Sequence, residues 1–123
     1  MSAEDVNFFF TLREQVKLYH WQTHEYSRHK ATDDLIDSLD KTIDEYVETY
    51  MGKYGRPRLG GSTNTFKLVN MSETHFVKFV KSAIKHLEGP FVKKLKAQDT
   101  DLVNLRDEML GELNKILYLS TLK

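Results

Sequence analysis

The strongest constraint on this chain is a stretch that cannot become helix. Between residues 52 and 71 lie four of the six glycines and one of the two prolines, with no apolar periodicity. On either side, apolar residues recur at helical spacing. Phe9, Leu12, Val16, Tyr19 and His20 mark a first helix from about Ala3 to about Thr23, and Ile36, Leu39, Ile43, Val47 and Tyr50 mark a long second one. Phe76, Phe79, Val80, Ala83, Ile84 and Leu87 define a third, and Leu102, Leu105, Met109, Leu113, Ile116 and Leu117 a fourth. The spacing therefore predicts an all-α chain, a single domain over residues 1–123, with one long irregular connection at its middle.

Punctuation supports these limits. Ser2 caps the first helix, with Glu4 and Asp5 at the positive end of its dipole. A polar junction at Glu25 to Ser27 separates the first two helices, and Gly52, Gly55 and Pro57 end the second near Met51 or Tyr54. Ser72 and Glu73 start the third helix, which Gly89-Pro90 leaves short or kinked; Phe91, Val92 and Leu95 add a further helical piece. Asp99-Thr100-Asp101 is the expected cap of the fourth.

The middle connection also has the right reach. The second helix covers about 35 to 40 Å at 1.5 Å per residue, while some twenty extended residues span roughly 65 Å. A return along the whole bundle is within its length. Short first and last joints with one long crossover match the up-down-down-up connectivity of ferritin-like four-helix bundles.

Composition narrows the function classes. With 18 basic and 18 acidic residues there is no overall field toward nucleic acid or an anionic membrane. The absence of Cys removes disulfides, thiolate catalysis and sulfur-bound zinc, and leaves His, Asp and Glu as the metal ligands. Phe8-Phe9-Phe10 is too short for the apolar core of a signal peptide, and no apolar run approaches a membrane span. A cytoplasmic protein without a membrane partner is expected. At 14.4 kDa, burial against a second subunit is favourable.

The chemistry concentrates at the first corner. Three of the five histidines, His20, His24 and His29, fall there, followed by Asp33. His20 and His24 are spaced by one turn on the first helix, and His29 and Asp33 by one turn on the second, the spacing that aims two side chains at one ion. Asp33, Asp37, Asp40, Asp44 and Glu48 then follow one flank of the second helix's apolar stripe. Such a row repels itself and is either a solvated face or, with imidazole beside it, a seat for iron, manganese or zinc.

Tyr19-His20-Trp21, then His29, Asp33, Asp44 and Glu48, resembles the signature of the Dps family, the miniferritins: His-Trp ending the first helix, His-x3-Asp, then Asp-x3-Glu eleven residues on. The tract from Tyr50 to Gly55 and the overall length also resemble a small ferritin-like family of uncharacterised proteins from cyanophages and large aquatic DNA viruses, which would place this chain in a host cytoplasm. The resemblance covers residues 6 to 55 well and the rest by helical pattern. It implies a site shared across a two-fold, with His20, His29 and Asp33 of one subunit facing Asp44 and Glu48 of another, in a homo-oligomer that takes up Fe(II) and oxidises it as a ferroxidase.

The sequence departs from that family in three ways. The step from His20 to His29 is shorter, so His24 is an alternative to either neighbour; the chain itself is shorter; and the Lys-rich tail used for DNA is absent, so DNA binding is not supported. Two other functions compete. One is a non-enzymatic structural or interaction protein on the same scaffold with an eroded metal site; the other is a dinuclear carboxylate enzyme acting on a small organic substrate. Phosphate-binding loop and His-Glu-x-x-His motifs are absent.

Overall fold

The computed structural model describes residues 2–123, and all regular structure among them is helical. Four helices carry the fold: α1 (Ala3–Gln22), α2 (Tyr26–Tyr54), α3 (Glu73–His86) and α4 (Thr100–Leu119). None is long and apolar enough to cross a membrane.

Local chemistry sets most of the ends. Ser2 accepts from the Asp5 N–H at 3.2 Å, and Ser72 from the His75 N–H at 3.1 Å, so both expected caps form. Gly55 stops α2 because its φ of 98° is a conformation that other residues resist. Gly52, by contrast, stays inside α2 on an exposed turn, so the crossover is shorter than residues 52 to 71 suggest.

One expected cap needs correction. Asp99 sits at the N-cap of α4 but makes no side-chain cap bond there. Its carboxylate instead accepts from the Tyr54 hydroxyl at 2.5 Å and the Lys96 N–H at 2.8 Å, with the Lys53 ammonium at 3.0 Å. An ammonium and a phenol attract that carboxylate more strongly than one more amide. The third helix is short as expected, its regular α-turns ending at His86 ahead of Gly89-Pro90. A π segment, Leu87–Phe91, continues it directly, because the wider turn makes room for the proline ring and its missing N–H. Both ends of that segment, Leu87 and Phe91, are buried.

The contacts fix the directions. Arg13 reaches Asp40 and Phe9 meets Tyr46, so α1 and α2 are antiparallel. Tyr19 stacks on Phe76 at 3.9 Å while Phe8 packs on His86 at 4.3 Å, so α3 also runs opposite to α1. Lys53 pairs with Asp101 and Thr42 with Glu112, which sets α4 antiparallel to α2. The order is therefore up, down, down, up, and the crossover travels the length of the bundle.

It travels along α1. Asn7 donates to the Thr63 and Thr65 carbonyls at 3.1 and 2.7 Å. Gln15 donates to the Val69 carbonyl at 3.0 Å and accepts from its N–H at 2.7 Å. Gln22 donates to Asn70 at 2.7 Å and accepts from the Met71 N–H at 3.2 Å. These three residues recur about every two turns, so one side of α1 is a ladder of amides holding extended backbone. The opposite side supplies the core, where Phe9, Tyr46 and Phe91 meet edge to face or tilted and Leu12, Leu39 and Leu113 are buried.

Candidate metal centre

The α1–α2 joint is only Thr23 to Glu25, and it is held from beneath by Arg28. That guanidinium, with 12% of its side chain exposed, donates to the Tyr19 hydroxyl at 3.0 Å, the Glu73 carbonyl at 2.9 Å and the Ser120 carbonyl at 2.9 Å. The Glu73 carboxylate accepts from Tyr19 at 2.7 Å and from Thr23 at 2.8 Å. Burial pushes this carboxyl up, but those hydroxyls and the Arg28 charge outweigh it and leave it below its ordinary value. One buried cation thus joins the corner to the start of α3 and the end of α4.

So tight a corner lays the first turn of α2 over the last turn of α1. The His20 and His29 rings stack with centroids 3.9 Å apart and planes within 15°. His29 Nδ1 donates to the His20 carbonyl at 2.8 Å. Thr32 spends its hydroxyl proton on the Arg28 carbonyl at 2.7 Å, so its oxygen accepts from His20 Nδ1 at 3.0 Å. Both imidazoles therefore donate from Nδ1, and in the neutral ring the lone pair is then on Nε2. His20 Nε2 is 4.0 Å from Asp33 Oδ1, on a carboxylate whose side chain is 63% exposed. An imidazole fixed through one nitrogen presents the other to a metal in this way.

The other expected residues lie apart. α1 ends at Gln22, so His24 is not on that helix with His20 but in the joint, exposed, with its backbone N–H toward the Glu73 carboxylate. Asp44 and Glu48 lie eleven and fifteen residues beyond Asp33 on α2, about 16 and 22 Å along its axis. Both are exposed, and Asp44 stands at the rim of an α1–α2 groove. Among the described residues of one chain, no three His, Asp or Glu side chains are gathered to hold a metal ion.

The acidic row is otherwise solvated. Asp40 is its exception, receiving two bonds from Arg13 at 2.8 and 3.2 Å, which with Glu14 hold that guanidinium's pKa above its ordinary value. Thr32, Arg28 and Glu73 shape the corner without standing out in sequence. A Thr four residues after an Arg on a helix carries no mark of which ring it will meet.

Residues 20–119 match a family of unknown function, DUF5856. The chain belongs to that family. The match opens at His20 and spans the corner, the acidic row, the crossover, α3 and α4. No curated protein and no solved structure matches the chain.

Proposed function

We propose that this DUF5856 member is a ferritin-like bundle of the Dps kind, whose copies pair to bind Fe(II) at sites shared between them. His20, His29 and Asp33 of one subunit and Asp44 and Glu48 of the other supply the ligands. The reading rests most on the two imidazoles. Each is fixed through Nδ1 by a bond inside the chain, which leaves its Nε2 without a partner there, and His20 Nε2 lies 4.0 Å from the Asp33 carboxylate.

The up-down-down-up order, with a crossover along α1, supports the scaffold. The split ligand set supports the sharing, since two neutral nitrogens and one carboxylate underfill a divalent ion while two distant acids have nothing to hold. Manganese or zinc would suit the same donors. Bound Fe(II) would give one electron to dioxygen, and the protein's part is to collect the ion, offset its charge and keep the imidazoles from turning.

The test is Fe(II) added in air, with metal measured per subunit by elemental analysis. Wild type should bind iron and oxidise it faster than buffer, and a double Asp44→Ala, Glu48→Ala variant should lose both. Equal metal content and equally slow oxidation in the two proteins would sink the proposal. A second reading draws on the same bonds, because the Nδ1 contacts and the ring stack hold the corner without any ion. On that view the protein is a structural or interaction protein with an eroded site, and removing the two acids should raise the melting temperature in metal-free buffer.

A further inference from the structure

The outer side of α1 carries Phe10, Glu14, Lys17 and Trp21 one above another, at spacings of four, three and four. The two ends of this line are complementary. Phe10 at the lower end walls a groove of about 350 Å³ between α1 and α2, lined by apolar side chains, Ile43, Val47 and Pro57 among them, and by the charged Arg13, Asp40 and Asp44. Trp21 at the upper end, the chain's single tryptophan, is 67% exposed, with the Lys17 ammonium 5.3 Å from its ring. An apolar slot and an uncovered indole thus share one helix and cannot meet within one chain.

Phe10 and Trp21 are eleven residues apart on α1, as Asp33 and Asp44 are on α2, about 16 Å in each case. The Arg13–Asp40 and Phe9–Tyr46 contacts fix the register of the hairpin, and in that register both midpoints fall at the same level. One two-fold axis crossing the hairpin there exchanges the ends of both lines at once. It brings Trp21 over the groove of a second copy in the same step that brings His20 and Asp33 toward Asp44 of the partner subunit.

Charge favours the same pose. Lys17 has no carboxylate partner in its own chain, its one described contact being the indole beside it. Close to such an axis it lies level with Asp37 and Asp40 of the partner subunit, and of these Asp40 already pairs with Arg13 of its own chain, which leaves Asp37 as the acid that gains a cation.

We propose that Trp21 of each subunit seats in the α1–α2 groove of the other and is the anchor of a two-fold dimer of this chain. The register rests on the shared-site reading above, but the groove and the indole have their own readout. Trp21 is the only tryptophan, so its emission reports its surroundings directly.

Sedimentation and tryptophan emission across a dilution series test this, with Trp21→Ala, Val47→Glu and the double Asp33→Ala, Glu48→Ala variant. Wild type should dimerise with short-wavelength emission that moves to longer wavelength on dilution. Trp21→Ala, at an exposed position that leaves the core intact, should weaken the dimer roughly thirtyfold, as loss of a central aromatic anchor does. Val47→Glu should give the long-wavelength emission at every concentration. The double Asp33→Ala, Glu48→Ala variant, at two proposed ligands outside the groove, should lose iron yet keep the dimer and its shielded indole. A wild type that stays monomeric, a dimer whose indole emits as a solvated one, or an unchanged dimer constant in Trp21→Ala would overturn the anchor. Shared iron with an exposed indole defeats this inference alone, and a shielded indole without iron defeats the metal reading alone.

Discussion

Arg28 is the residue on which the upper end of the molecule depends. Its neighbours are two carbonyls, a phenol and the carboxylates of Glu25, at 2.9 Å, and Glu73, at 3.5 Å. Arg28→Met should therefore cost about 2 kcal/mol, the effect of leaving two carbonyls and a phenol without their donor, read as a lower urea midpoint. Acid sensitivity has a separate origin at the lower end. Hydrogen bonds from Tyr54 and Lys96, with Lys53 adding its charge, hold Asp99 down at about 2 from an ordinary 3.8. Between those values the unfolded chain binds the proton and the folded one does not, so stability falls as pH drops through that window. Asp99→Asn should flatten this part of the acid limb of a pH–stability curve. His86 acts earlier on the same curve. Burial beside Phe8 lowers its pKa below 6.5, so as pH falls through 6.5 the unfolded chain gains a proton first and stability declines; His86→Phe should remove that slope. Residue identities foretold some of this and missed the rest. The caps Ser2 and Ser72 were legible because capping depends on near neighbours. The fate of Asp99 was not, because a phenol forty-five positions away in the chain decides it.

Among the elements, the crossover is the one whose behaviour a sequence conceals. Glycines and absent periodicity mark it as irregular, yet much of its path is bonded to α1. Gln15 explains why. It is 2% exposed in a helix that buries Asp5 and His20 as well, so the amphipathic pattern of α1 is blurred by polar residues working inward. Gln15→Ala removes both bonds to Val69 and should cost about 1 to 2 kcal/mol, with faster hydrogen exchange at the Val69 amide as its signature. Helix existence and order were readable because apolar repeats reflect burial directly. The joint after α1 was read about two residues too late, since Thr23 leaves the helix on account of Glu73, a residue on another element. The π segment was likewise hidden, for a proline foretells a disturbance and not whether the chain breaks or widens.

At the scale of the whole molecule, two clamps close opposite ends of the bundle. Arg28 gathers α1, α3 and α4 at one end, and Lys53 with Tyr54 binds the start of α4 at the other, about 37 Å along α2. They share no partner. The effects of Arg28→Met and Asp99→Asn on the urea midpoint should therefore add without coupling in the double variant, and a large non-additive residue would show that the ends communicate through the core. Connectivity was legible from loop lengths alone, whereas which faces remain open for a second copy was not, because that depends on where the crossover lies down. Its stitching to α1 has one gap. Between Gly55 and the first bond at Thr63 the strand is exposed and untied, and it holds Arg56 and Arg58. Trypsin does not open the bond from Arg56 to Pro57, so brief digestion should nick the chain after Arg58. The two pieces, one bearing α1 with α2 and the other α3 with α4, should then stay together and melt as one body until urea parts them.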